Sequence, residues 1–223
     1  MTLWLTLIAA AFSIPGHSTP GQPGTLDTTF AADSPLGGGK FMASLGASHA
    51  WATGIAVQPD GKLLLSGTCG ANLPYDTCVM RIHSDGSIDT SFGTAGRVGV
   101  AVSSSESYSI LLQPDGKFVL AGSCYNGSWL LCAARFQANG SLDTSFGSLG
   151  RAGTLVGRSP NGQRAAALQP DGKIVIAGFC EGASNTDFCM VRYNSLGALD
   201  LSFGANGTVV TIEVLGIHDI SRA

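Results

Sequence analysis

The stretch "QPDGKFVLAGSC", Gln113–Cys124, decides the fold. Pro114 presets φ for the second position of a turn, Asp115 tolerates the third, and Gly116 accepts a positive φ. An apolar run follows and ends on a cysteine, so the stretch reads as a hairpin turn leading into a β-strand. The phrase returns as "QPDGKLLLSGTC" from Gln58 and "QPDGKIVIAGFC" from Gln169. A unit of about 55 residues is therefore repeated three times, and the repeat outranks any local secondary-structure reading.

A second refrain runs in step with the first: "SIDTSFG" at Ser87–Gly93, "SLDTSFG" at Ser141–Gly147 and "ALDLSFG" at Ala198–Gly204, with a degenerate "TLDTTF" at Thr25–Phe30. Within each period, short apolar runs alternate with turn signals, and no stretch keeps helical spacing beyond two turns. Four strands per unit follow. In the second unit they are A "YSILLQ", B "KFVLAGSC", C "LCAARFQ" and D "RAGTLVG". The Pro-Asp-Gly turn joins A to B, and connectors rich in Asp-Gly and Asn-Gly join C to D.

Each unit carries one cysteine pair across the B-to-C connection: Cys69 with Cys78, Cys124 with Cys132, and Cys180 with Cys189. If B and C pair antiparallel, the partners lie near the open end of that hairpin within disulfide reach, and the repeat selects this connectivity among those that six cysteines permit. Disulfides imply an oxidising compartment. Buried reduced thiols and zinc ligation are the competing readings. The cysteine spacing does not suit a zinc knuckle, and the histidines do not join them.

"LDTSFG", "QPDGKIVIAG" and "MVRYN" resemble the delta-60 repeat, a bacterial extracellular β-propeller repeat, over roughly Leu26 to Glu213. The resemblance implies an all-β chain of three four-stranded antiparallel units, each a propeller-type blade. The expected blades span residues 48–102, 103–156 and 157–213 within a domain at 25–213, preceded by an extra D-like strand at 25–47. A propeller closes with about four to eight blades, so three leave it incomplete. Self-association of two chains, a piece of a longer array, or a β-trefoil built from three four-stranded repeats would each account for the count.

The first residues, "MTLWLTLIAAAFSIPGHS", hold an apolar run from Leu3 to Ile14 that is too short to span a bilayer, then Pro15 and small residues. Residues 1–18 read as a secretory signal peptide, although no Lys or Arg precedes the run, with a buried strand as the alternative. No later stretch is long and apolar enough for a membrane span. The 31 glycines are roughly twice the usual share of about 7%, and charged residues make up only 12%. The net charge of −3 comes without a basic run, which argues against a nucleic-acid partner.

Two groups of side chains draw attention. Strand C carries Arg81, Arg135 and Arg192, each followed eight residues later by Asp89, Asp143 and Asp200. The constant spacing suggests an ion pair that orients the connector, anchored by Phe92, Phe146 and Phe203. An exposed arginine beside a turn-forming aspartate is the plainer alternative. The B-to-C loops vary instead, and Tyr75, Asp76, Tyr125, Asn126, Trp129, Glu181 and Asp187 gather there as a candidate ligand-binding face for a protein or a carbohydrate.

Catalytic signatures are missing. His49, His83 and His218 occupy non-equivalent places, and the ends of the A strands hold Ser48, Ala50, Glu106, Ser107, Gly162 and Arg164, which form no catalytic set. No nucleophile elbow, phosphate loop, metal motif or cofactor motif occurs. The chain therefore reads as a secreted, non-enzymatic binding or structural module. A propeller hydrolase or lyase and a non-functional fragment are the alternatives.

Overall fold

The computed structural model describes residues 25–43, 49–70, 76–100, 106–158, 160–181 and 186–211. The expected signal segment, residues 1–18, and the tail after Val214 lie outside them. Three separate four-stranded antiparallel sheets form, each from consecutive strands. Blade 1 contains β1 (His49–Val57), β2 (Leu63–Gly70), β3 (Asp76–Ile82) and β4 (Arg97–Val100). Blade 2 contains β5 (Glu106–Leu112), β6 (Phe118–Tyr125), β7 (Trp129–Phe136) and β8 (Arg151–Thr154). Blade 3 contains β9 (Pro160–Leu168), β10 (Ile174–Glu181), β11 (Thr186–Tyr193) and β12 (Thr208–Val210). These are incomplete-propeller blades, and among the described residues no sheet closes on itself. The trefoil alternative fails because, among the described residues, no sheet borrows a strand from another repeat.

The Pro-Asp-Gly hairpin forms in every blade. Gly61, Gly116 and Gly172 donate their amides to Gln58, Gln113 and Gln169, and the glutamine amides donate to the lysine carbonyls at Lys62, Lys117 and Lys173. The three glycines sit at φ 81°, 82° and 80°. Each first strand also carries a register shift at the same place, between Ala52 and Gly54, Ser107 and Ser109, and Ala177's and Gly178's partners on β9. The shift increases the local twist of the first strand of each blade.

Strand alternation gives every blade two apolar faces, which suits a sheet covered on both sides. One core lies between blades 1 and 2, where Leu64, Val79 and Phe92 meet Ile110, Phe118, Leu120 and Phe136. The other lies between blades 2 and 3, where Val119, Leu131, Ala133 and Phe146 meet Ile174, Ile176, Val191 and Tyr193. Blade 2 thus contributes to both. Tyr193 also spans its interface through a hydroxyl that lies 2.9 Å from the Leu131 carbonyl oxygen and 2.8 Å from Thr154 Oγ1. Burial pushes the Tyr193 phenol well above its ordinary range, so it remains neutral.

Within its described part, residues 25–43, the extra D-like strand expected at 25–47 does not form; turns and irregular chain occupy the segment. A fourth strand is defined by its ladder to strand C, as β12 is by β11. Residues 40–43 follow Gly39 as β4 follows Gly96, but among the described residues no C strand lies beside them.

Close blade packing depends on glycine at the connector tip. A Cβ on Gly197, at φ 82°, would lie 2.7 Å from the Gly147 amide nitrogen and 2.9 Å from the Phe146 ring of the preceding blade. Gly127 has φ 101° and open space around it. Alanine at either site pays a left-handed backbone penalty of roughly 1 to 2 kcal/mol. Gly197→Ala adds the overlap, so denaturant unfolding should find it clearly less stable than Gly127→Ala. Equal losses would mean that the blades do not need this close approach.

Candidate functional site

Antiparallel order divides the blade ends. The A-to-B hairpins and C-to-D connectors lie at one end, and the B-to-C loops and D-to-A connections at the other. Each end gathers one of the two groups of side chains.

At the connector end, Arg81 Nε lies 2.8 Å from Asp89 Oδ2, and Arg135 with Asp143 and Arg192 with Asp200 repeat that distance. The guanidinium carbons lie 4.6, 4.8 and 4.5 Å from the ring centres of Phe92, Phe146 and Phe203. Each aspartate also accepts the amide and hydroxyl of the serine two residues on, Ser91, Ser145 or Ser202. The lysine of the hairpin completes the cluster: Lys62, Lys117 and Lys173 place Nζ 3.0, 3.2 and 3.4 Å from the same carboxylates. Composition and spacing alone did not single out the lysines or serines. Their exact recurrence within the two refrains was the available signal.

The arginine also reaches beyond its own blade. Arg81 Nη1 donates to the Ala138 carbonyl and Arg135 Nη1 to the Ser195 carbonyl, both at 2.7 Å. The backbone adds a parallel link: Gly93 donates to Asn139 O at 3.0 Å and Gly147 to Leu196 O at 2.7 Å. The cluster therefore ties hairpin, connector and following blade together. The Ser91 hydroxyl does most to hold the Asp89 carboxyl below its ordinary range, with Lys62 and Arg81 assisting against the opposing effect of burial. Burial pushes Asp143 up, but Ser145, Lys117 and Arg135 outweigh it and the net shift is down. Ser202 leads the downward shift of Asp200.

At the loop end, Cys124–Cys132 and Cys180–Cys189 form disulfides with Cα separations of 5.9 and 5.8 Å. They are not at the hairpin's open end, because Cys124 stands beside Tyr125 and the short turn to Trp129. The partners are diagonal neighbours: Cys124 pairs in register with Leu130, and Cys132 with Gly122. Cys78 is also disulfide-bonded, while only the backbone of Cys69 is described. Cys180 and Cys189 are wholly buried, and Gly157 of the preceding connection packs directly over Cys180.

Of the loop-face residues, Tyr125 and Trp129 are brought into contact. Tyr75 lies outside the described residues, and Asp76 is described only as the first backbone position of β3. Tyr125 is exposed and meets the half-buried Trp129 edge to face, with ring centres 5.6 Å apart, while exposed Asn126 closes the turn by donating to Ser128 O. Glu181 is exposed and its carbonyl accepts the Arg158 amide; Asp187 is half-buried opposite Cys180. Arg164 lies over Phe179 at 4.8 Å. A cleft of about 510 Å³ occurs at the opposite end, lined in part by Ser91, Thr94, Arg97, Asn139 and Ser141 of blades 1 and 2.

Residues 58–92, 113–146 and 169–203 match a family model described as a beta-propeller domain of unknown function (DUF5122). Each match runs from the hairpin glutamine to the connector phenylalanine, so it contains the whole Lys-Arg-Asp-Phe cluster. No curated protein matches the chain.

Because the folded aspartates bind protons more weakly than unfolded ones, their stabilisation is complete above the ordinary carboxyl range near pH 4 and is lost as pH falls below it. Asp143→Asn should cost roughly 3 kcal/mol at neutral pH by stranding a buried guanidinium. It should also flatten the acid limb of a melting-temperature profile between about pH 5 and 2. Unchanged stability and an unchanged acid limb would assign the cluster no structural weight.

Proposed function

We propose that this chain is a non-catalytic binding or structural module of the cell exterior, whose loop end meets a carbohydrate or protein. The observation that carries the reading is the Tyr125–Trp129 aromatic pair, presented on a turn held by Cys124–Cys132. Aromatic faces offer apolar contact at little entropic cost, and Asn126 beside them supplies a polar group of the kind that orients a sugar. The recurring charged residues are engaged in holding blades together, which leaves the variable loops as the part free to differ in specificity. Two disulfides support an oxidising location, and the resemblance to the delta-60 repeat points to the bacterial cell exterior. Among the described residues no helix is long and apolar enough to cross a membrane.

The competing hydrolase or lyase reading would need an acid, a base and an electrophile converging in one cavity. At the A-strand end of blade 3, Arg164 is instead engaged by the Phe179 ring. Affinity electrophoresis against bacterial wall polysaccharides, with immobilised surface proteins in parallel, should find retardation or capture that Trp129→Ala weakens at least about tenfold, a loss in the range of a binding hot spot. Binding indifferent to Trp129→Ala would move the site elsewhere, and turnover of a lactone or polysaccharide would replace this reading with the enzymatic one.

A further inference from the structure

The chain makes the same blade-to-blade contact twice, and its two outer faces are the unmatched halves of that contact. Leu64, Val79 and Phe92 of blade 1, and Val119, Ala133 and Phe146 of blade 2, are buried against the following blade. Their counterparts on blade 3, Val175, Met190 and Phe203, are only half-buried, and Ala167 beside them is exposed. On blade 1 the opposite face leaves Ile55 62% and Val57 63% exposed, whereas Ile110 and Leu112 at the same positions of blade 2 pack into the first core.

The polar groups are unmatched in the same sense. Arg81 and Arg135 each donate to a carbonyl of the following blade. Among the described residues Arg192 reaches no such carbonyl, and the corresponding carbonyl of blade 1, that of exposed Ser84, accepts no hydrogen bond. A donor is left at one face and its acceptor at the other.

Thr25–Ala43 covers part of the blade 1 face by imitating a preceding blade. The Ala31 amide donates to Asp85 O at 2.6 Å, as Gly93 and Gly147 do to the next connector, and Gly86 packs against Ala31. The imitation is imperfect. Ala31 is held at φ 47°, where Gly93, Gly147 and Gly204 adopt 54° with no Cβ to accommodate. Asp27 accepts from Thr29 as Asp89 does from Ser91, but among the described residues no strand-C arginine or hairpin lysine pairs with it.

We propose that the open face of blade 3 receives blade 1 of a second copy of this chain, with Gly204 and Arg192 displacing the Ala31 contact and engaging the Asp85 and Ser84 carbonyls of that copy. Used twice, this head-to-tail contact closes two copies into a ring of six blades, within the range of about four to eight over which propellers close. The occupant is a second copy because both halves of the required interface are on this chain.

Sedimentation velocity of the full chain over roughly 1 to 100 µM should find a species of twice the chain mass, its population rising with concentration. Ile55→Glu on blade 1 and Ala167→Glu on blade 3 both alter exposed positions and should each give single chains. An equimolar mixture of the two should restore the two-chain species, because one of its contacts carries neither change. Single chains at every concentration in the unaltered protein would overturn the proposal without reference to any variant. So would a pair that survives Ile55→Glu, or variants that stay apart when mixed.

Discussion

The contact between successive blades depends on a guanidinium, Arg81 in blade 1 and Arg135 in blade 2, being held in two directions. Arg135 faces its own Asp143 through Nε and the Ser195 carbonyl of the next blade through Nη1, with the Phe146 ring beneath it. The planar fork permits this, since separate donors point to separate partners, and a lysine could not reproduce the geometry. Burial of such a charge is tolerable only when its partners are all present. The arginine therefore couples the fold of a connector to the docking of a neighbour, so a blade that is incomplete at its connector is also poorly prepared to join the next.

The repeats behave as a short one-dimensional stack in which each unit meets only its neighbours. Three blades give two interfaces, and blade 2 takes part in both. The interfaces are alike in plan but not in detail. The first stacks Phe118 on Phe136, with ring centres 5.1 Å apart, while the second places Tyr193 at the matching position and adds hydroxyl links to the preceding blade. Variation is thus absorbed in side-chain volume on the apolar faces, while the charged cluster and the connector-tip glycines stay constant.

Much of this was legible in the residue string because turn chemistry is local. Pro-Asp-Gly fixes a hairpin through the φ preferences of three adjacent residues, and the recurrence of that hairpin determines strand number and order. Contacts to backbone atoms are harder to read. Nothing about Ala138 as an alanine marks its carbonyl as the acceptor for Arg81, fifty-seven residues away. The lysines were hidden for another reason: the turn already accounted for them, so their reach to the connector carboxylate carried no separate signal. The segment at 25–43 shows the complementary limit: strand-like sequence gives turns and irregular chain there, because a strand needs a ladder partner as well as its own residues.

The placement of the disulfides has a consequence for chemical durability. Cys180 and Cys189 face blade 2 and are sealed beneath the connection that carries Gly157, so a thiolate cannot line up behind either sulfur while that cover is closed. Attack requires that cover to open, through the connection or through the blades themselves. The packing that joins blades 2 and 3 thereby also shields this disulfide from reductants.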